Sequence, residues 1–209
     1  MNGFSLVELM LSLSLGLALS GVMLQALMAE GQTSARFSRL LRERSWQRRT
    51  LELVKQDLAQ AIAVSKTPEL ETHGCSLAGR TAVLHLRTTA GDITYSVGPA
   101  PSSIWRGQVL MRCGPSFGLD GFITIGSQSL NRVVIDGLPA KAGSWSGCVE
   151  ETGDPLILSE GLTALSSTPF SVYFKPQDRL LDLRLKQELS TSSRHARQIC
   201  TSTVGEIPG

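Results

Sequence analysis

Aromatic residues, histidines and closely spaced cysteines are scarce in this sequence, and each shortage removes a class of function. Aromatics make up 5% of the 209 residues, which argues against a stacking platform for single-stranded nucleic acid. A net charge of +2 is too small for an electrostatic footprint on nucleic acid, and no direct nucleic-acid site is evident. His73, His85 and His195 stand isolated, with no H-E-x-x-H and no acidic partner at ligand spacing, so surface or packing roles are expected of them. Cys75, Cys113, Cys148 and Cys200 lie far apart without a C-x-x-C, which speaks against zinc. There is no phosphate or dinucleotide loop and no internal repeat, so neither a cofactor nor a metal is expected. One catalytic motif matches: Gly114-Pro115-Ser116-Phe117-Gly118 fits G-x-S-x-G. The residues after it read as a turn and strand where a nucleophile elbow needs a helix, and no triad partners stand out, so no enzyme is expected. A secreted hydrolase using Ser116 would also require cleavage near Ala29.

Charge is absent from Leu9 to Ala29, and this run is long enough to cross a hydrocarbon core of about 30 Å as a helix. A secretory signal peptide would want a basic start, a shorter apolar stretch and a small-x-small cleavage site, so a membrane segment is the reading. Glycine and proline are absent from Gln32 to Lys66, where Phe37, Leu40, Leu41, Leu51, Val54, Leu58 and Ile62 fall near one helical stripe. The helix is therefore expected to continue to the Thr67-Pro68 stop, covering residues 4–66 and roughly 90 Å. Residues 4–29 form its membrane part and 30–66 its amphipathic continuation.

Beyond Pro68 the period becomes two. Phe170, Val172 and Phe174 alternate on one side and are answered by Leu181, Leu183 and Leu185 across Lys175-Pro176-Gln177-Asp178, which predicts a hairpin. Residues 81–87, 93–97, 108–112, 122–125 and 132–135 read as further short strands, and the tail from Ser190 is polar and weakly determined. A long helix packed on an antiparallel β-rich domain, residues 67–209, is an α+β arrangement. With an export segment ahead of them, the four cysteines imply two disulfides; three pairings exist, and the sequential one, Cys75 with Cys113 and Cys148 with Cys200, is favoured.

Glu8 is a lone carboxylate at one end of the uncharged span, a costly placement that calls for a positive partner. The amino terminus of a neighbouring chain, shifted along a filament axis, would supply it, and a headgroup-level position is the bland alternative. Ser12, Gly16 and Ser20 recur every four residues as a small-residue stripe suited to close helix packing. Gly3-Phe4-Ser5-Leu6-Val7-Glu8-Leu9-Met10 resembles the type IV prepilin family, whose signature is a Gly, a Phe and a Glu five residues into the mature chain. It is similar above all to minor pilins of the PilW type, with weaker echoes at Lys55–Ala61 and Leu158–Leu162 that PilW-like and secretion-pseudopilin J-like subunits share. The N-terminal match covers about the first 30 residues.

That resemblance implies a pilin-like fold and a leader of residues 1–3. It implies cleavage between Gly3 and Phe4 by a prepilin peptidase, N-methylation of Phe4, and assembly through Glu8. The implied partners are other pilin subunits and an inner-membrane assembly platform; the implied place is the inner membrane, then a periplasmic or extracellular filament for motility, adhesion, DNA uptake or secretion. The leader Met1-Asn2-Gly3 lacks the Lys or Arg usual in the family, which leaves an upstream start open. Arg36, Arg39, Arg42, Arg44, Arg48 and Arg49 follow the span on the side this reading places outside, against the positive-inside tendency; helix packing in a filament and a solvated face paired with Glu43 and Glu52 explain them equally well. The rival from another class is a single-pass receptor or sensor with an extracytoplasmic binding domain.

Overall fold

The computed structural model describes residues 5–65, 74–140, 163–164, 169–175, 179–189 and 197–208. The chain divides into two compact units, Met1–Glu43 and Arg44–Gly209. The first unit holds most of helix α1, which spans Leu6–Leu58. Ser5 caps it: the Ser5 Oγ accepts from the Val7 amide at 3.4 Å, and Glu8 Oε2 accepts from the Ser5 amide at 3.2 Å, a reciprocal capping box. From Leu6 to Met28 the helix is apolar all round, with a mean hydropathy of 1.9 and none of it buried within the chain. Two hydroxyls in that stretch bond back to their own helix, Ser12 to the Leu9 carbonyl at 3.0 Å and Ser14 to the Leu11 carbonyl at 2.9 Å, which removes their need for water. One helix is thus long and apolar enough to cross a membrane.

The second unit is a helix segment and two antiparallel sheets. Within α1, Gln47, Thr50, Leu51, Val54, Asp57 and Leu58 are buried, a spacing of three and four that keeps one face inward. The first sheet follows chain order, β1 (Ala61–Ser65), β2 (Thr81–Thr88), β3 (Gly91–Pro99), β4 (Gln108–Gly114) and β5 (Leu130–Leu138). The second does the same, β6 (Thr163–Ala164), β7 (Phe170–Lys175), β8 (Leu180–Leu189) and β9 (Arg197–Glu206). Every neighbour pair is antiparallel, as expected for strands joined in sequence. The α+β class is the observed one.

The core lies where α1 and the second sheet meet one face of the first. Leu84, Leu86, Ile93, Tyr95 and Leu110 from the first sheet join Phe170, Val172, Leu181, Leu183 and Leu185 from the second and Leu51, Val54 and Leu58 from the helix. Burying each such aliphatic side chain is worth about 1.5–3 kcal/mol. Gln47 ties α1 to β9: its Nε2 donates to the Ile199 carbonyl at 3.2 Å and its Oε1 accepts from Thr201 Oγ1 at 2.7 Å. Gly205 lets the two approach closely, since a Cβ there would stand 2.9 Å from Leu58 Cδ1. The hairpin register matches the sequence pattern, Phe170 opposite Leu185, Val172 opposite Leu183 and Phe174 opposite Leu181.

Three sequence expectations need correcting. The helix stops at Leu58, not Lys66: the Gln60 amide turns to the Asp57 carbonyl at 3.2 Å, and Ala61–Ser65 leaves as a strand paired with β2. Ile62, placed on the helical stripe, is an exposed residue of that strand, and Phe37 and Leu41 are also exposed. Residues 122–125 make no strand; only an isolated bridge, Phe117 with Ile123, forms there. In the opposite direction, the polar tail supplies the ten-residue β9. The hairpin turn Pro176–Asp178 falls outside the described residues.

Candidate functional site

The residues singled out at the N-terminus are only partly in view. Gly3 and Phe4 lie outside the described residues. Glu8 sits in the first helical turn, where a carboxylate also meets the favourable end of the helix dipole, and its contact with the Ser5 amide is a local role that the spacing Ser5-x-x-Glu8 announces. Glu8 makes this contact while remaining exposed. Ser12, Gly16 and Ser20 share one exposed stripe, and a Cβ on Gly16 would meet nothing within 4 Å.

The second unit contains a charge cluster that sequence reasoning missed. Asp57 is fully buried, and Arg112 from β4 grips it with both prongs, Nε to Oδ2 at 2.7 Å and Nη2 to Oδ1 at 3.0 Å. Tyr95 from β3 donates its hydroxyl to the same Oδ2 at 2.5 Å. Arg112 also donates Nη1 to the Pro115 carbonyl at 2.9 Å and stacks its guanidinium 4.7 Å over the centre of Phe117. A bidentate pair inside a protein holds two charges whose removal from water is compensated only by this geometry. Burial alone would lower the Arg112 pKa; the hydrogen bonds and charge of Asp57 outweigh it and hold the guanidinium above its usual value. Burial first, then the Asp57 charge, push the Tyr95 phenol well above its usual range. The signal was present: Asp57 interrupts the apolar stripe Leu51, Val54, Leu58 on its buried side, and Arg112 interrupts the apolar strand Val109-Leu110-Met111.

Beside this cluster runs an open groove of about 540 Å³, between one flank of α1 and the outermost strand β5. Trp46, Arg49 and Leu53, spaced by three and four, line it from the helix. Trp105, Phe117 and Val133 contribute apolar surface opposite, and Arg132 stands across the strand pair from Arg112. Trp46, Arg49 and Arg132 are exposed.

Cys75 is bonded to Cys113, with Cα atoms 6.1 Å apart across a separation of 38 residues. In the chain-entropy account a loop of this size restricts the unfolded chain by about 4 kcal/mol. Cys200 is also disulfide-bonded, and Cys148, its expected partner, lies outside the described residues. The loop carrying Cys75 is held over the sheet, with Asn131 Nδ2 and Arg80 Nη2 both donating to the Ser76 carbonyl, at 2.9 and 3.2 Å.

Ser116 is not on an elbow. The Ser116 amide donates to Ser127 Oγ at 3.1 Å and the Ser116 carbonyl accepts from the Thr124 amide at 2.9 Å, so G-x-S-x-G opens a short turn. His85 is buried, bonded through Nδ1 to Thr94 Oγ1 at 2.9 Å, while His73 and His195 lie outside the described residues. Among the described residues no three His, Cys, Asp or Glu side chains converge as a metal site would require. No protein-family model, curated protein or solved structure matches this chain.

Proposed function

We propose that this chain is a structural subunit of a type IV pilus or related filament, a minor pilin or pseudopilin with a pilin-like fold. In this reading it is inserted in the inner membrane, cut between Gly3 and Phe4 by a prepilin peptidase, N-methylated on Phe4, and packed into the filament through its N-terminal helix. One observation carries the proposal. Leu6–Met28 is a helix apolar on every side that the chain itself leaves uncovered, and it opens directly behind the Gly3-Phe4 junction on an acidic first turn.

Such a surface must be covered by lipid or by other helices, and a filament core supplies the second after the bilayer has supplied the first. The Ser12, Gly16 and Ser20 stripe supports close approach of neighbouring helices, and the Glu8 carboxylate offers a counter-charge to a neighbour's terminal ammonium. Mechanical work would come from partner ATPases, and no enzymatic role is assigned to this chain.

Mass spectrometry of the native N-terminus tests the proposal. Methylated Phe4 is the expected first residue. A retained Met1 would favour the single-pass receptor reading, which the groove beside Trp46 supports, and a terminus near Glu30 would mean a cleaved signal peptide.

A further inference from the structure

The groove along the α1 flank carries positive charge that no carboxylate among the described residues pairs with. Arg49 and Arg132 line it from opposite walls, and neither has an acidic partner among the described residues. Three carboxylates on the same elements have partners of their own: Asp57 with Arg112, Asp136 with Arg106 at 3.6 Å, and Glu52 with Lys55 at 3.7 Å. Arg132 is also the cross-strand partner of Arg112, a like-charge pair that is unfavourable unless one member is neutralised. Asp57 neutralises Arg112, so Arg132 lines the groove without a carboxylate partner among the described residues.

The same groove is lined by apolar surface from Trp46, Trp105 and Phe117. Aromatic and arginine side chains together are the composition of interaction hot spots, and the aromatic rings bury area with little rotamer loss. One wall is β5, the outermost strand of its sheet, and an outer strand is a template for an added strand. At its far end β5 is already engaged, where Gln187 Nε2 of β8 donates to the Asp136 carbonyl at 2.9 Å. The groove borders its near end, at Arg132, Val133 and Val134.

We propose that this groove is the docking site for an extended acidic segment of a partner polypeptide. Its carboxylates meet Arg49 and Arg132, its alternate apolar side chains enter between Trp46, Trp105 and Phe117, and its backbone runs beside β5. Nucleic acid fits less well, because a phosphate chain is held by a succession of cations along a track and the groove presents two uncompensated ones. The inference stands apart from the filament reading: a chain that kept Met1 would use the groove in the same way.

The test uses the full chain in neutral detergent micelles and three fluorescent probes: a short peptide alternating valine with glutamate, its valine–lysine counterpart, and an oligothymidylate. Binding is followed by anisotropy. The acidic peptide is expected to bind and the basic one not, with the dissociation constant rising about tenfold in Arg49→Glu and again in Arg132→Glu. The double variant should then accept the valine–lysine peptide. Both arginines are exposed, so thermal melting should not change; Arg49→Gln and Arg132→Gln repeat the comparison with charge removed instead of inverted. Equal binding of both peptides, binding of neither, no loss in the variants, or tighter binding of the oligothymidylate overturns the proposal.

Discussion

Asp57 shows what a single buried charge demands. Fully enclosed, it holds two prongs of Arg112 and the Tyr95 hydroxyl, and these join α1, β3 and β4 at one point. Asp57→Asn keeps the shape and part of the hydrogen bonding but leaves a guanidinium buried without a counter-charge. Stability should fall by about 3–5 kcal/mol, read as a lower urea midpoint. Asp57→Leu combined with Arg112→Met should cost less than Asp57→Asn alone, because no orphan charge remains. A double variant as unstable as the single one would mean that specific geometry, not charge balance, dominates at this site. The position was legible as an anomaly, an aspartate on the inward face of an apolar stripe; its partner was not, since Arg112 lies 55 residues away and only strand register brings it opposite Tyr95.

At the scale of the element, α1 is two helices in character joined without a break: apolar on all sides to Met28, then inward on one face from Gln47 to Leu58. Its capping box gives Glu8 two separable roles. Glu8→Gln retains the capping hydrogen bond, because glutamine serves at this position, yet removes the charge. Membrane insertion should stay intact, whereas incorporation into sheared filaments should be lost. Ser5→Ala removes the cap, at about 1 kcal/mol of helix stability, and keeps the carboxylate, so incorporation should persist. The measurement is the ratio of this subunit in filaments to that in membranes for each variant. Loss in Ser5→Ala with retention in Glu8→Gln would reduce Glu8 to a capping residue and remove it from assembly. The helix end escaped the sequence because no Gly or Pro marks it; Ala61–Ser65 becomes a strand only because β2 offers it an edge.

For the whole molecule, the division at Glu43 and Arg44 makes a physical claim, since among the described residues the buried ones all belong to the second unit. A chain beginning at Arg44 should fold without detergent, melt cooperatively, and keep the Cys75–Cys113 disulfide under non-reducing conditions. Gel filtration and circular dichroism check this, and aggregation without detergent would show that the apolar helix is needed for folding. The sequence by itself determined the membrane-length helix, the α+β class, the Phe170–Leu185 hairpin and the even cysteine count, because each depends on local periodicity or composition. Tertiary structure alone decided the end of α1, strand β9, the Asp57–Arg112–Tyr95 cluster and the groove between Arg49 and Arg132. These rest on pairings between segments tens of residues apart, and a register shift of one residue would turn Tyr95 and Arg112 to the other face of the sheet.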